Sequence, residues 1–231
     1  THLAHVSVLD GPTFVSECVL VAAGQRGNSD GLGLEALGIR VNEHGFVAVD
    51  ARFATDVPTI FAAGDIIGPP AVASTAMEQA RVAMCRAFDL RFRADVHRVR
   101  PTGVWSIPEV AMVGETEDSA RAKDIPYEIG KASFRLNPRG QIVGDVHGFV
   151  KIIFRRDDRS LIGASICGEG ACELIHIPSS VLAFGGTLDY FIEAVFTWPS
   201  LGDAFKYAAY DGLQRLARRL SRQAGLPSVP R

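Results

Sequence analysis

An apolar content of 47% across 231 residues suits a packed globular core, arranged as one large domain or two small ones. The formal net charge of −2 argues against the basic footprint of a nucleic-acid binder, and no window approaches the roughly 18 apolar residues of a membrane span. The four cysteines, Cys18, Cys85, Cys167 and Cys172, are too few and too scattered for a secreted disulphide scaffold, so a reducing cytoplasm is expected, with small molecules or protein as partners.

Thr1 opens the chain with neither a Met nor a signal-like segment, and the first eight residues already read as strand, so a piece of a longer polypeptide is expected. Apolar and polar positions alternate around the Asp10-Gly11-Pro12 turn, and residues 18–23 continue as a predicted buried strand closed by Gly24. A Gly-rich loop over 25–31 leads into a short predicted helix over 32–37. Residues 39–42 and 46–50 pair as a hairpin through Glu43-His44-Gly45, where glycine supplies the turn. Residues 60–63 read as a buried parallel strand ending at Gly64-Asp65, and an Ala-rich helix over 71–87 follows the Gly68-Pro69-Pro70 turn.

The charged stretch 89–100 places a domain boundary near Asp95. Beyond it the pattern predicts strands over 103–107, near Ala111, and over 127–134, 148–154 and 161–167. Helices are predicted over 116–124, 171–184, 188–194 and 201–220. Strands first and helices afterwards suggest an α+β module with helices on one face of an antiparallel sheet.

Ligands of open α/β sheets sit at the carboxyl ends of strands, where Gly64 and Asp65 fall. Gly64 lets backbone approach a bulky ligand, the Asp65 carboxylate accepts from sugar hydroxyls, and the first turn of the helix over 71–87 offers free N–H groups. Thr55-Asp-Val-Pro-Thr-Ile-Phe-Ala-Ala-Gly-Asp65 resembles the second flavin-binding motif of the pyridine nucleotide-disulphide oxidoreductase family. Ile107-Pro-Glu-Val-Ala-Met-Val-Gly114, residues 144–163, Glu173-Leu-Ile-His176 and Trp198-Pro199 extend the resemblance over nearly all of residues 1–220. It implies that residues 1–50 are the tail of an NAD(P)-binding domain, 51–95 the C-terminal segment of an FAD-binding domain, and 96–231 a dimerisation domain. The implied fold class joins α/β dinucleotide-binding parts to an α+β interface domain. The implied cofactors are FAD and NAD(P), with Gly24, Gly64, Asp65, Ala73, Ser74 and Thr75 as binding residues. A homodimer through residues 96–220 would bring Trp198 and Pro199 near the partner subunit's flavin.

The family's two Gly-x-Gly-x-x-Gly turns are absent and are expected upstream in a missing N-terminal half. Gly31-Leu-Gly-Leu-Glu-Ala36 satisfies a looser form of that pattern. It does not directly follow a strand and runs into a hairpin, which marks it as a chance match. Where the family usually has Gly-Arg, this chain has Gly24-Gln25-Arg26. Cys167 and Cys172 share the spacing of the family's redox disulphide but lie in the wrong domain, with no Lys or Arg nearby. They are read as inert thiols, although a helix N-terminus near Cys172 would lower its pKa somewhat. His176 is a lone imidazole on an apolar helix and is read as packed or capped. His2, His5, His44, His97 and His147 show no metal spacing, and 215–222 reads as a solvated helix face.

In disulphide-reducing family members a histidine precedes the proline of the last segment and serves as acid/base. Trp198 stands there, and an indole cannot shuttle protons. Asp203 occupies the position of the acid that orients the histidine. The aromatic, together with 22–29 and 173–178, is similar to the soluble flavin-dependent transhydrogenases, which implies hydride passage between NADPH and NAD⁺ through flavin with no catalytic side chain. Two alternatives stay open: a flavin-dependent disulphide or dihydrolipoamide-type reductase, and a non-catalytic dimerisation or binding module.

Overall fold

A computed structural model describes residues 3–92 and 95–224, and the chain divides between Val96 and His97 into two units. In the first unit the Asp10-Gly11-Pro12 turn joins β1 (Ala4–Ser7) and β2 (Thr13–Ser16), antiparallel with Ala4 opposite Ser16 and Ser7 opposite Thr13. The predicted strand over 18–23 does not form. Those residues join no ladder, with Leu20 at 90% and Val21 at 79% exposure. Extended chain becomes strand only when a neighbour accepts and donates its backbone hydrogen bonds. Among the described residues none pairs with this segment.

The predicted helix over 32–37 shrinks to a 3₁₀ turn, Glu35–Leu37, stopped by Gly38 in the left-handed region. The hairpin of 39–50 is held by a single bridge, Val41 to Val47, and by Asn42, whose Oδ1 accepts the N–H groups of His44 and Phe46. α1 (Ala73–Ala87) begins two residues later than its apolar pattern, after the Pro69-Pro70 pair, and buries Thr75, Gln79, Val82, Ala83 and Cys85. These recur at spacings of four, three, one and two, the stripe of a helix with one covered face.

The second unit is a five-stranded antiparallel sheet. Its strands are β3 (Thr102–Val104), β4 (Val110–Gly114), β5 (Tyr127–Ser133), β6 (Phe149–Arg155) and β7 (Leu161–Cys167), in the order β3-β4-β7-β6-β5. Ile152 and Ile153 point to opposite faces of β6 and both are fully buried, so the middle of the sheet is covered on both sides. α2 (Glu117–Ala122) precedes β5 and starts from a capping box, with the Ser119 N–H donating to Thr116 Oγ1 and the Thr116 N–H to Ser119 Oγ. A 3₁₀ turn and α3 (Pro138–Val143) fill the β5 to β6 connection, which the periodicity leaves as loop. Asn137 caps α3 and Pro138 stands in its first turn.

The single helix predicted over 171–184 is two, α4 (Ala171–Leu174) and α5 (His176–Ala183). Pro178 has no N–H to give the Leu174 carbonyl, so the helical bonding is interrupted there. α6 (Asp189–Glu193) leads to a 3₁₀ turn, Leu201–Asp203, and the 20-residue α7 (Ala204–Gln223). α7 runs along β5 and β6 with Ala204, Phe205, Ala208, Ala209, Gly212 and Leu216 buried. Gly130 and Gly212 make that approach possible. A Cβ on Gly130 would lie 2.0 Å from the Ala208 carbonyl oxygen, and one on Gly212 would lie 2.7 Å from the Phe154 ring. Phe134, Phe154, Phe191 and Phe205 fill the core between sheet and helices.

Candidate functional site

The site begins with a loop folded by its own polar side chains. Asp50 Oδ1 accepts the N–H groups of Arg52 and Ala54, and the Thr55 hydroxyl donates to the Ile60 carbonyl at 3.0 Å while accepting from the Val57 N–H. Thr55 therefore closes the loop that returns the chain to residues 60–63. The parallel strand predicted there is not formed. Ala54 and Phe61 make one antiparallel bridge, the Ala62 N–H donates to the Phe53 carbonyl, and residues 60–63 are half-buried. The segment's hydrogen bonds go back to its own approach loop, which is antiparallel to it.

Gly64 follows at φ +84 and ψ −155, a conformation essentially restricted to glycine, and is buried. Its N–H donates to Gln79 Oε1 at 2.8 Å, and its carbonyl accepts from Ile67. The 3₁₀ turn Asp65–Ile67 then presents Asp65 to solvent, and its carboxylate accepts no hydrogen bond from any described residue. Gly68, at φ +94, packs on the Phe46 ring, which would lie 3.4 Å from an added Cβ. Val72 is the N-cap of α1 and has no side-chain acceptor. Among the described residues the amides of Ala73, Ser74 and Thr75 therefore have no partner, and the first intrahelical bond is the Ala76 N–H to the Val72 carbonyl. An exposed carboxylate and three uncapped amides thus meet in one short stretch, an acceptor for hydroxyls beside donors for an electron-rich ring edge or anion.

Gly24 is also at positive φ (+96) with open space around its α-carbon, but it lies on the exposed 18–26 segment. Among the described residues no hydrogen bond joins it to the Gly64 to Thr75 cluster. The Gly31 to Ala36 pattern ends in the 3₁₀ turn and opens no α-helix. In the second unit Trp198 is 68% exposed and Pro199 is exposed, with the segment fixed by Asn137 Nδ2 donating to the Ser200 carbonyl at 2.9 Å. Asp203 is 8% exposed at the head of α7.

Cys172 is buried and Cys167 half-buried, and both are free thiols. Burial, with the nearby Glu109 carboxylate, pushes the Cys172 thiol up from its ordinary value, against the lowering expected from the α4 N-terminus. α4 has only four residues, and Glu109 already accepts the Cys172 N–H through Oε2 at 3.0 Å, so negative charge prevails at that end. His176 is exposed at the first position of α5 and is not packed, contrary to the expectation from its apolar surroundings. His2 lies outside the described residues. Among those described, no group of three His, Cys, Asp or Glu is placed to hold a metal ion.

Residues 2–83 match the profile of the pyridine nucleotide-disulphide oxidoreductases, and residues 100–209 match that family's dimerisation domain. The chain belongs to this family of FAD-dependent pyridine nucleotide oxidoreductases. Relatives named soluble pyridine nucleotide transhydrogenase occur in Mycobacterium bovis, 40% identical over 210 residues, and in Yersinia pestis, 38% identical over 216. These alignments cover 91% of this chain and 45% and 46% of the relatives. Among solved structures, LpdA from Mycobacterium tuberculosis superposes with a TM-score of 0.80 at 30% identity, over 89% of this chain and 45% of its own. The HOCl-induced flavoprotein disulphide reductase RclA from Escherichia coli shares the fold, with a TM-score of 0.79 at 24% identity over 84% and 45%. The chain thus spans less than half the length of the relatives it matches. The cluster from Gly64 to Thr75 lies inside the oxidoreductase match, and Trp198 lies inside the dimerisation domain. The polar device missed by sequence reading is Gln79, whose signal was a lone amide on the apolar stripe of α1.

Proposed function

We propose that this chain supplies the ribityl-binding and ring-facing part of a flavin site, together with a homodimer interface, to an enzyme that transfers hydride between NADPH and NAD⁺. The observation that carries the reading is the juxtaposition of an unpartnered Asp65 carboxylate with the uncapped amides of Ala73, Ser74 and Thr75. FAD, when bound, supplies the centre that accepts and gives hydride. Asp65 accepts hydrogen bonds from the sugar-alcohol chain, and the three amides, with the helix dipole behind them, face the electron-rich edge of the ring. Gly64 keeps the turn free of a side chain, and Gly24 leaves backbone open to a nicotinamide nucleotide.

On this reading residues 1–50 belong to the NAD(P)-binding domain, 51–95 to the FAD-binding domain and 96–231 to the dimerisation domain, in a cytoplasmic protein. The rest of both nucleotide domains corresponds to the part of the relatives that this chain does not span. The large exposed apolar side chains Trp105, Ile107, Phe184, Val195 and Trp198 support a second copy as partner of the interface domain. Trp198 and Pro199 approach the partner subunit's flavin, where the indole packs and cannot relay a proton.

Two measurements on the complete polypeptide test the reading. Asp65→Ala weakens FAD binding by about 1.5–3 kcal/mol, the scale of a hydrogen bond to a charged group; unchanged flavin affinity would refute the assignment. The unaltered enzyme passes hydride from NADPH to a thio-NAD analogue while reducing lipoamide and glutathione negligibly, since a positioned base contributes on the order of 10²–10⁴ in rate and none stands at Trp198. Efficient dithiol turnover would instead establish the disulphide-reductase alternative.

A further inference from the structure

We propose that Gln79 is a positioning residue for the flavin site, holding the Gly64-Asp65 turn in fixed register with the head of α1. The inference rests on the flavin reading above and adds a residue that touches neither cofactor nor substrate. Gln79 is 5% exposed, in a helix whose buried stripe is otherwise mostly apolar, and its Oε1 accepts the Gly64 N–H at 2.8 Å. A buried amide side chain is retained at such a place only when its polar atoms are used. The use here is specific. The Gly64 N–H has no backbone acceptor among the described residues, so without Gln79 it would be a buried donor left unmade.

Gly64 is the pivot between the two halves of the site. Its N–H is tied to α1 through Gln79, while its carbonyl accepts from Ile67 and so closes the turn that carries Asp65. A Cβ on Gly64 would lie 3.1 Å from Ala76 Cβ, so helix and turn are in direct contact one helical turn before Gln79. The uncapped amides of residues 73–75 stand on the same rigid helix as Gln79. The bond therefore sets the separation between the Asp65 carboxylate and those amides, two groups that must reach one ligand together. The side-chain length is part of the device, because asparagine is one methylene shorter. Glutamate keeps a carboxyl oxygen at the position of Oε1.

The test is FAD titration of the complete polypeptide, well below the melting temperature of every variant, with the bound flavin's absorption spectrum recorded. Gln79→Leu and Gln79→Asn should each weaken FAD binding about tenfold, the consequence of orphaning one buried donor, and alter the flavin bands. Gln79→Glu should restore both affinity and spectrum, which a general packing role would not require. If the Leu variant fails to fold, the Asn variant carries the same test. Wild-type affinity and spectrum in the Leu and Asn variants, with flavin lost in Asp65→Ala, would overturn this inference and leave the flavin site standing. A Glu variant as impaired as the Leu variant would overturn it too. If Asp65→Ala also retains flavin, both readings fall.

Discussion

The two units reach order by different means. The second gathers twenty buried residues into one core between its sheet and helices, including four phenylalanines with no exposure. In the first, among the described residues, the buried apolar set is Ile39, Val47, Val82, Ala83 and Cys85, and its path is set largely by side-chain-closed turns at Asn42, Asp50 and Thr55. Within this chain the path of the cofactor motif is fixed by local hydrogen bonding, in a unit that corresponds to only part of the nucleotide domains of its relatives. An interface domain, by contrast, draws its shape from packing. The contrast also separates the kinds of residue that matter, since a core tolerates no loss of volume while a turn tolerates no loss of an acceptor.

The comparison is sharpened most by Phe154→Ala, which removes a fully buried ring from beneath α7. It should cost about 3–5 kcal/mol in chemical denaturation of the second unit, and a cost near that of a surface change would deny the core its role. Thr55→Val is the counterpart in the first unit. It keeps the shape of the side chain but removes the donor to Ile60 and the acceptor for Val57, and should cost about 0.5–1.5 kcal/mol, read from amide exchange across residues 53–62. Glu115→Gln should show a smaller effect that depends on pH. Lys123, then Ser119, hydrogen-bonds the Glu115 carboxylate and holds its pKa below the usual range. A depressed folded-state value means that the added stability is present above the unfolded pKa of about 4.3 and is lost as pH falls through the folded one. The wild type should therefore exceed the variant by about 0.2–1 kcal/mol at neutral pH, with the gap closing as pH falls through the depressed folded-state value. Leu20→Ser, at a side chain 90% exposed in the first unit, should change the stability of this chain by no more than about 0.5 kcal/mol. A larger loss would mean that the extended segment has cover within the chain.

Much of the second unit is legible because its signals are local and repeated. Short apolar runs between turn residues locate β5, β6 and β7 to within a residue or so, and α7 is found as a helix. α3 goes unread because its six residues are too few for a period, although Asn137-Pro138 is a legible start signal. In the first unit apolar runs at 18–23 and 60–63 read as strands, since composition reports the wish to be buried and not the presence of a pairing neighbour. At the site, Gly64, Asp65 and the amides of residues 73–75 come from the motif, and the Gly64 turn rests against the helix that carries those amides. Gln79 escapes notice because its partner is a backbone N–H fifteen residues away, a pairing that residue type alone does not encode.

The seating of α7 on β5 has a consequence for how this sequence can drift. An added methyl at Gly212 meets the Phe154 ring, so a smaller side chain at 154 opens a route by which 212 can change. At Gly130 the obstacle is the Ala208 carbonyl oxygen, which every residue carries. No exchange at position 208 relieves it, and a substitution there must move the whole helix. Of two glycines facing each other across the same contact, one is negotiable with its neighbour and the other is fixed by the main chain itself.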